Sequence, residues 1–337
     1  MEWTADVSAG EWLRERLDAD WPTPSMHGVV PRRFAAYARI FHPATRDRPV
    51  GRPWPGLPYG AHAREWAEFQ EAAPDIDVER VTWADTAAAF GARMHPLAQW
   101  ANLVGLDPHA AAREDGPRDA SGWRYGDPPQ GDVDADILTA IADVLAAHTT
   151  TPADGHVAVW SGWGGLLGFI GDSPSRAFLQ PGGTASDPGE EAAMAQHNEM
   201  LRQSTRDPLN KVFSKPSWQT GVLSDEISKG PRLELPAREY VLFRGGAAEL
   251  ADPEWVTRSP WRDRAQEEHG FPPSAQAPAL VWPDDRAWVL VTEVDYDSTV
   301  VAGSAALVRA LIDDPRLEAA EIPADADLSW GGDGVSR

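Results

Sequence analysis

Hydrophobic positions recur along this chain at two periods, and residues 286 to 322 carry both. Along Arg286 to Asp297 the odd positions are Ala287, Val289, Val291, Glu293, Asp295 and Asp297, and the even ones Trp288, Leu290, Thr292, Val294 and Tyr296. Both faces are apolar as far as Val291, which predicts a central strand covered on two sides. Past Val291 the strand emerges with three carboxylates on one face. Ser304 then reads as a helix N-cap, followed by Leu307, Val308, Leu311 and Ile312 at helical spacing, and Asp313-Asp314-Pro315 ends the helix. Leu317 to Ile322 returns as a strand, so the stretch predicts a C-terminal β-α-β unit.

The same reading places other elements upstream. A helix is predicted from Gly10 to Asp20, stopped by Trp21-Pro22-Thr23-Pro24, and a strand over Phe34 to Phe41, where aromatic and β-branched residues crowd. Residues 46 to 60, dense in Pro and Gly, read as a surface loop. A helix follows from Ala61 to Ala73 with Trp66 and Phe69 on one face. Thr82, with Asp85 three residues on, caps a short helix that Gly91 closes. The clearest helix spans Ile137 to Leu145, with Asp132, Asp134 and Asp136 at its positive end and His148 at its negative end. His156 to Trp160 and Glu239 to Arg244 read as strands. The stretch 171–236, including a polar helix from Gly189 to Gln203, reads as a loop-rich insertion or flap. The sum is one α+β domain over 1–337, a mixed sheet with flanking helices.

Composition narrows what such a scaffold does. The chain has 337 residues, 42% of them hydrophobic, enough for a real core. Its formal charge of -22 sets 52 acidic side chains against 30 basic ones, so Coulomb repulsion disfavours nucleic acid and anionic membrane as partners. With no cysteine there is no disulfide, thiolate metal site or cysteine nucleophile. The acidic start MEWTADVSAGEW lacks a basic n-region and an apolar h-region, and the expected location is the cytoplasm. The 16 tryptophans are abundant for this length, and supply either core filling or aromatic platforms for sugar rings or a partner surface.

Candidate chemistry is sparse. Gly162, Gly164 and Gly168 have the spacing of a variant dinucleotide fingerprint, but Gly171-Asp172-Ser173-Pro174 breaks any helix they would open, so a Gly-rich hairpin explains them better. His148 and His156 flank Asp154 and offer a conceivable metal pair, whereas His42-Pro43 and His95-Pro96 read as turn formers. The acids after Val291 are the best candidate: Glu293, Asp295 and Asp297, with Thr299 and Ser304 beside them, as ligands for a substrate or a divalent metal. Along a straight strand they stand about 7 Å apart, so sharing one ion demands a bend, which Ser298 and Thr299 suggest. The alternatives are a solvated strand exit whose Asp297 or Ser304 caps the next helix, and a partner-binding edge. An EF-hand register from Asp295 fails, since Val300 takes the glycine position and Ala306 that of the bidentate acid.

Thr292-Glu293-Val294-Asp295-Tyr296-Asp297-Ser298-Thr299 with Gly303-Ser304, then Leu317-Glu318-Ala319, resembles the ending of a widespread actinobacterial family of uncharacterised proteins. Tyr37-Ala38-Arg39 with His42-Pro43, His148-Thr149-Thr150-Thr151-Pro152 with Trp160, and Tyr240-Leu242-Phe243 with Gly245 are similar to its other landmarks. The resemblance implies no activity. The functional expectation is therefore a cytoplasmic, non-catalytic binding or regulatory protein whose partner is a protein or small molecule. The alternative is a metal-assisted hydrolase working through residues 293–297, where a divalent ion would lower the pKa of a bound water.

Overall fold

The computed structural model describes residues 1–19, 25–106, 115–171 and 216–335. The stop at Trp21 to Pro24, the polar helix from Gly189 to Gln203 and most of the 171–236 insertion lie outside them. In chain order the strands are β1 (Glu2–Trp3), β2 (Ala36–Phe41), β3 (Ala44–Pro49), β4 (Ile76–Val81), β5 (Arg124–Tyr125), β6 (Gly155–Trp160), β7 (Phe169–Gly171), β8 (Ser217–Gln219), β9 (Leu233–Glu234), β10 (Glu239–Arg244), β11 (Leu280–Pro283), β12 (Val289–Val291), β13 (Ser298–Gly303) and β14 (Ala319–Ile322). The helices used below are α1 (Ala63–Ala72), α2 (Trp83–Phe90), α3 (Ala135–Ala146) and α4 (Ala305–Asp313).

The main sheet runs β1-β10-β6-β11-β12-β13-β2-β14, with β9 alongside β10. The α+β class holds. The expected mixed pairing resolves into ladders that are antiparallel throughout this sheet. The C-terminal β-α-β unit is present but starts one strand later than its sequence suggests. β12 ends at Val291, the chain turns through 292–297, and Ser298–Gly303 returns as a wholly buried strand. β13 and β14 flank β2, each antiparallel to it, so the two are parallel to one another with a strand between them. Ser298 and Thr299 look like turn formers, yet they begin a run of β-branched residues that a central strand accommodates well.

Two apolar layers clothe this sheet. Trp288, Leu290, Val157 and Val301 pack with Leu138, Ile141 and Leu145 of α3 and Leu307, Val308 and Leu311 of α4. On the opposite face Val289, Val291, Val300 and Ala158 meet Trp12, Leu13, Met26 and Val30 of the N-terminal segment and Leu328 near the other end. Covering on both faces is what the parity before Val291 requires. The predicted helix from Gly10 is cut to Glu11–Arg14, because Trp12 and Leu13 reach the core within one turn.

After β2 the chain passes through His42-Pro43 into a second sheet, ordered β4-β3-β5. Residues 44–49 form a strand there, where Pro and Gly density suggests a loop from residue 46. Charge pairs line its polar face, while Ala44, Val81 and Tyr125 reach a buried apolar cluster with Trp83 and Trp100. Cross-strand partners in register are Arg46 with Glu79, Arg48 with Asp77 at 3.9 Å, and Asp47 with Arg124 at 2.7 Å. Opposite charges placed directly across a ladder stabilise it by roughly 0.2–1 kcal/mol each. Glu318, just before β14, ties the second sheet's helix to the first sheet by accepting the backbone N–H groups of Trp83 and Ala84 at 2.7 and 2.8 Å. The third sheet pairs β7 with β8, antiparallel, and β7 follows the Gly162-Gly168 stretch, so these glycines lead into a strand and not a helix.

The helix boundaries obey the capping signals. Thr82 Oγ1 accepts from Asp85 N–H at 3.0 Å, Gly91 closes α2 at φ +68°, and Ser304 Oγ accepts from Leu307 N–H at 3.2 Å. Replacing Ser304→Ala is expected to lower unfolding free energy by about 1 kcal/mol, while Ser304→Asp retains it. Urea denaturation of the two variants beside the wild type measures the difference.

Candidate functional site

The turn 292–297 between β12 and β13 sends the sequence-selected acids to two different guanidinium groups. Tyr296 N–H donates to Glu293 C=O at 3.0 Å, folding the turn back on itself. Arg238, just before β10, reaches across and donates to Glu293 Oε1 through Nε at 3.1 Å and Nη2 at 2.8 Å, and to Asp295 Oδ2 at 2.6 Å. Its guanidinium also lies over the Trp160 ring, 5.4 Å from the ring centre. Glu293 is 2% exposed whereas the Asp295 side chain is 67% exposed, so one partner is sealed and the other faces solvent. Burial pushes the Glu293 carboxyl up, against the pull of Arg238.

Asp297 belongs to a different pair. Its Oδ1 accepts from Arg39 Nη2 at 3.2 Å, and burial raises its carboxyl while Arg39 opposes the rise. Arg39 sits in the middle of β2, 1% exposed, within the run Ala36–Phe41 where every residue is buried. Three further bonds hold it. Nε donates to Ser298 Oγ at 2.8 Å, and Nη1 to the carbonyls of Ala98 at 2.8 Å and Pro96 at 3.3 Å. The rings of Phe41 and Trp83 lie 4.7 and 5.2 Å from its guanidinium carbon.

Next to this pair runs a short relay of neutral groups. His42 Nδ1 is 2.8 Å from the Pro129 carbonyl, an oxygen that only accepts, so Nδ1 carries the proton. His42 Nε2 therefore accepts from Thr299 Oγ1 at 2.9 Å, and Thr299 Oγ1 in turn accepts from Thr292 Oγ1 at 2.9 Å. All three side chains are fully buried, and burial pulls the His42 pKa down to about 4. The geometry is that of a base orienting a hydroxyl, enclosed where no substrate reaches it. Loop 127–133 closes the site: Gly131 N–H donates to Tyr296 C=O at 2.9 Å, and a Cβ at residue 131 would come within 2.5 Å of Val294 Cα. Gly131 also holds φ +68°, so both space and conformation call for glycine there.

The predicted candidates are thus divided. Glu293 and Asp295 converge on Arg238, Asp297 faces Arg39, Thr299 lies inside the hydroxyl relay, and Ser304 caps α4. Among the described residues no set of three His, Cys, Asp or Glu side chains is arranged to hold a metal. His156 does not join His148 at an ion; it stacks on Trp282 at 5.3 Å, with Nδ1 3.4 Å from Asp284. Sequence reasoning missed Arg39, His42 and Arg238. The available signal was Arg39 itself, one charge inside an apolar strand, which demands a buried partner.

Two consequences are measurable. Replacing Arg238→Met leaves Glu293 buried without its cation and is expected to cost about 3–5 kcal/mol, most of it recovered by adding Glu293→Gln; chemical denaturation of both variants reads this out. His42, with a folded pKa of about 4 against 6.5 unfolded, stays neutral at pH 7. The unfolded chain binds the extra proton between those values, so this contribution is complete above pH 6.5 and falls away towards pH 4, by about 3 kcal/mol. Buried Glu293 and Asp297, with raised carboxyl pKa values, change stability in the opposite sense with pH. The difference between wild type and His42→Gln across pH 4 to 7 isolates the histidine, and an imidazole NMR titration locates its midpoint directly. Among the described residues no helix is long and apolar enough to cross a membrane. No family model, curated protein or solved structure matches the chain, in keeping with a resemblance that brings no known activity.

Proposed function

We propose that this is a cytoplasmic, non-catalytic binding or regulatory protein whose partner is a protein or small molecule. The observation that carries the reading is the commitment of the ionisable groups at residues 293–297 to one another: Arg238 fills the space between Glu293 and Asp295, and Arg39 holds Asp297. A carboxylate that is to ligate a metal or move a proton in a reaction must be released from such a partner first. The groups here are instead used to fix a turn. The charge of -22 adds a preference among partners, because it draws cationic surfaces and repels anionic ones over about a Debye length.

Metal-assisted hydrolysis through Glu293, Asp295 and Asp297 is the competing reading, and it requires a divalent ion to displace Arg238. Calorimetric titration with Mg²⁺, Mn²⁺ and Zn²⁺, joined to turnover assays over a broad hydrolase substrate panel, separates the two. The expected result is neither metal heat nor turnover. Turnover that disappears on Asp295→Asn would end the binding reading.

A further inference from the structure

Cations stand over several indoles of this chain, and among the described residues each such cation also pairs with a carboxylate, except at Trp12. Arg46 over Trp123 meets Glu79, Arg124 over Trp54 meets Asp47, and Arg238 over Trp160 meets Glu293. Trp218 shows the arrangement in full. Lys229 Nζ lies 4.2 Å from its ring centre, and Asp225 serves both groups, accepting from Trp218 Nε1 at 2.6 Å and from Lys229 Nζ at 3.2 Å. At Trp12 the guanidinium carbons of Arg16 and Arg286 lie 4.9 and 5.1 Å from the ring centre. Neither guanidinium makes a hydrogen bond or ion pair among the described residues, and the buried Trp12 Nε1 has no acceptor. The carboxylates next along the chain are engaged elsewhere: Asp18 with Arg32, Asp284 with Arg244 at 3.3 Å, and Asp285 with Thr149 and Thr150. Exposed Glu11 and Glu15 pair with neither arginine.

Two guanidinium groups and one indole N–H therefore converge as donors without an acceptor. A buried donor left unbonded is costly, and bonds from a guanidinium to an oxyanion are stronger than those to a neutral oxygen. What the set calls for is a negatively charged acceptor, in the role that Asp225 takes at Trp218. We propose that the Trp12 site binds a small oxyanion, a carboxylate or phosphate group, held by Arg16 and Arg286 and accepting from the Trp12 N–H. Arg286 is exposed and tied by no bond, so it is the group that turns to admit the ligand. Arg16, half-buried over the rings of both Trp12 and Phe34, keeps its place. A cationic ligand meets like charge here, and a neutral one gains no charge-assisted bond. The net charge of -22 repels anions from afar, but that field is screened over about 8 Å, whereas the bonds at contact act at about 3 Å. The site lies apart from the 292–297 turn and stands whether or not that turn is catalytic.

Isothermal titration calorimetry of the full chain with succinate and with inorganic phosphate tests it, in a sodium chloride background so that binding reports selectivity over a spherical anion. Saturable binding of one or both is expected, and the comparison tells a carboxylate ligand from a phosphate one. Arg286→Gln and Arg16→Gln are each expected to weaken binding by about tenfold or more. Arg309→Gln, which removes an exposed and unpaired arginine of α4, is expected to leave it unchanged. Trp12→Phe keeps a ring but deletes the N–H, and is expected to weaken binding about threefold or more. In the full chain the Trp12 indole ¹H–¹⁵N resonance is expected to shift on saturation, which a purely structural role for the arginines does not produce. Circular dichroism accompanies every variant, and exposed Arg286→Gln carries the test if Trp12→Phe or Arg16→Gln unfolds. The proposal is overturned if neither anion binds, if binding is unchanged in Arg286→Gln, if Arg309→Gln weakens it equally, or if the Trp12 resonance stays still at saturation. Absence of binding leaves the non-catalytic reading intact, and hydrolytic turnover lost on Asp295→Asn leaves this site intact, so the two fail separately.

Discussion

Arg39 is the residue on which the arrangement around the candidate site depends. A guanidinium enclosed in an apolar strand is tolerated only when its charge is matched and its donors are bonded, since an unpaired buried charge costs several kcal/mol. Those demands are met by groups from two places: the Asp297 carboxylate and Ser298 hydroxyl at the start of β13, and the carbonyls of Pro96 and Ala98 before the helix at Trp100–Leu103. Satisfying one side chain thereby fixes β13 against β2 and brings the 96–98 loop under the sheet. The planar fork of arginine makes this possible, and the compact ammonium of lysine would not span the same four acceptors.

The turn 292–297 is shaped by that constraint and by its twin at Arg238. Its three acids alternate in sequence, which on an extended strand would put them on one face. Once the chain folds back at Val294-Asp295, Arg238 draws Glu293 and Asp295 to one side while Arg39 takes Asp297. Neutral groups fill the interval: Thr292, Thr299 and His42 bond in series and end on the Pro129 carbonyl, so the polar interior is satisfied without a further charge. A hydroxyl beside a histidine therefore has a structural account here, as the means by which loop 127–133 is pinned over the turn.

Much of the fold was legible in sequence because burial and capping leave local marks. β2, β6, β10 and α1 to α4 follow from apolar periodicity bounded by Thr82, Gly91, Ser304 and the prolines. β3 and β4 escaped, since Arg46, Arg48 and Asp47 find their partners far along the chain, and such pairs have no local period. β13 escaped for a different reason: Ser298 and Thr299 have turn chemistry locally, and in the strand they serve as hydroxyl partners of the distant Arg39 and His42. At the candidate site the acids were visible and their arginines were not, because a pairing across 55 or more residues is a property of the fold.

The same pairings bear on what the surface presents. Arginines that neutralise acids in the 292–297 turn and along the second sheet are withdrawn from solvent-facing roles, so the excess of 52 acidic over 30 basic residues falls on the exterior. That exterior repels anions at a distance, whatever shape a cleft takes locally. Near Trp123 the same sign holds at short range: Arg46 pairs with Glu79 and Arg48 with Asp77, so the two guanidinium groups over the ring are already matched and add no net positive charge to the surface there.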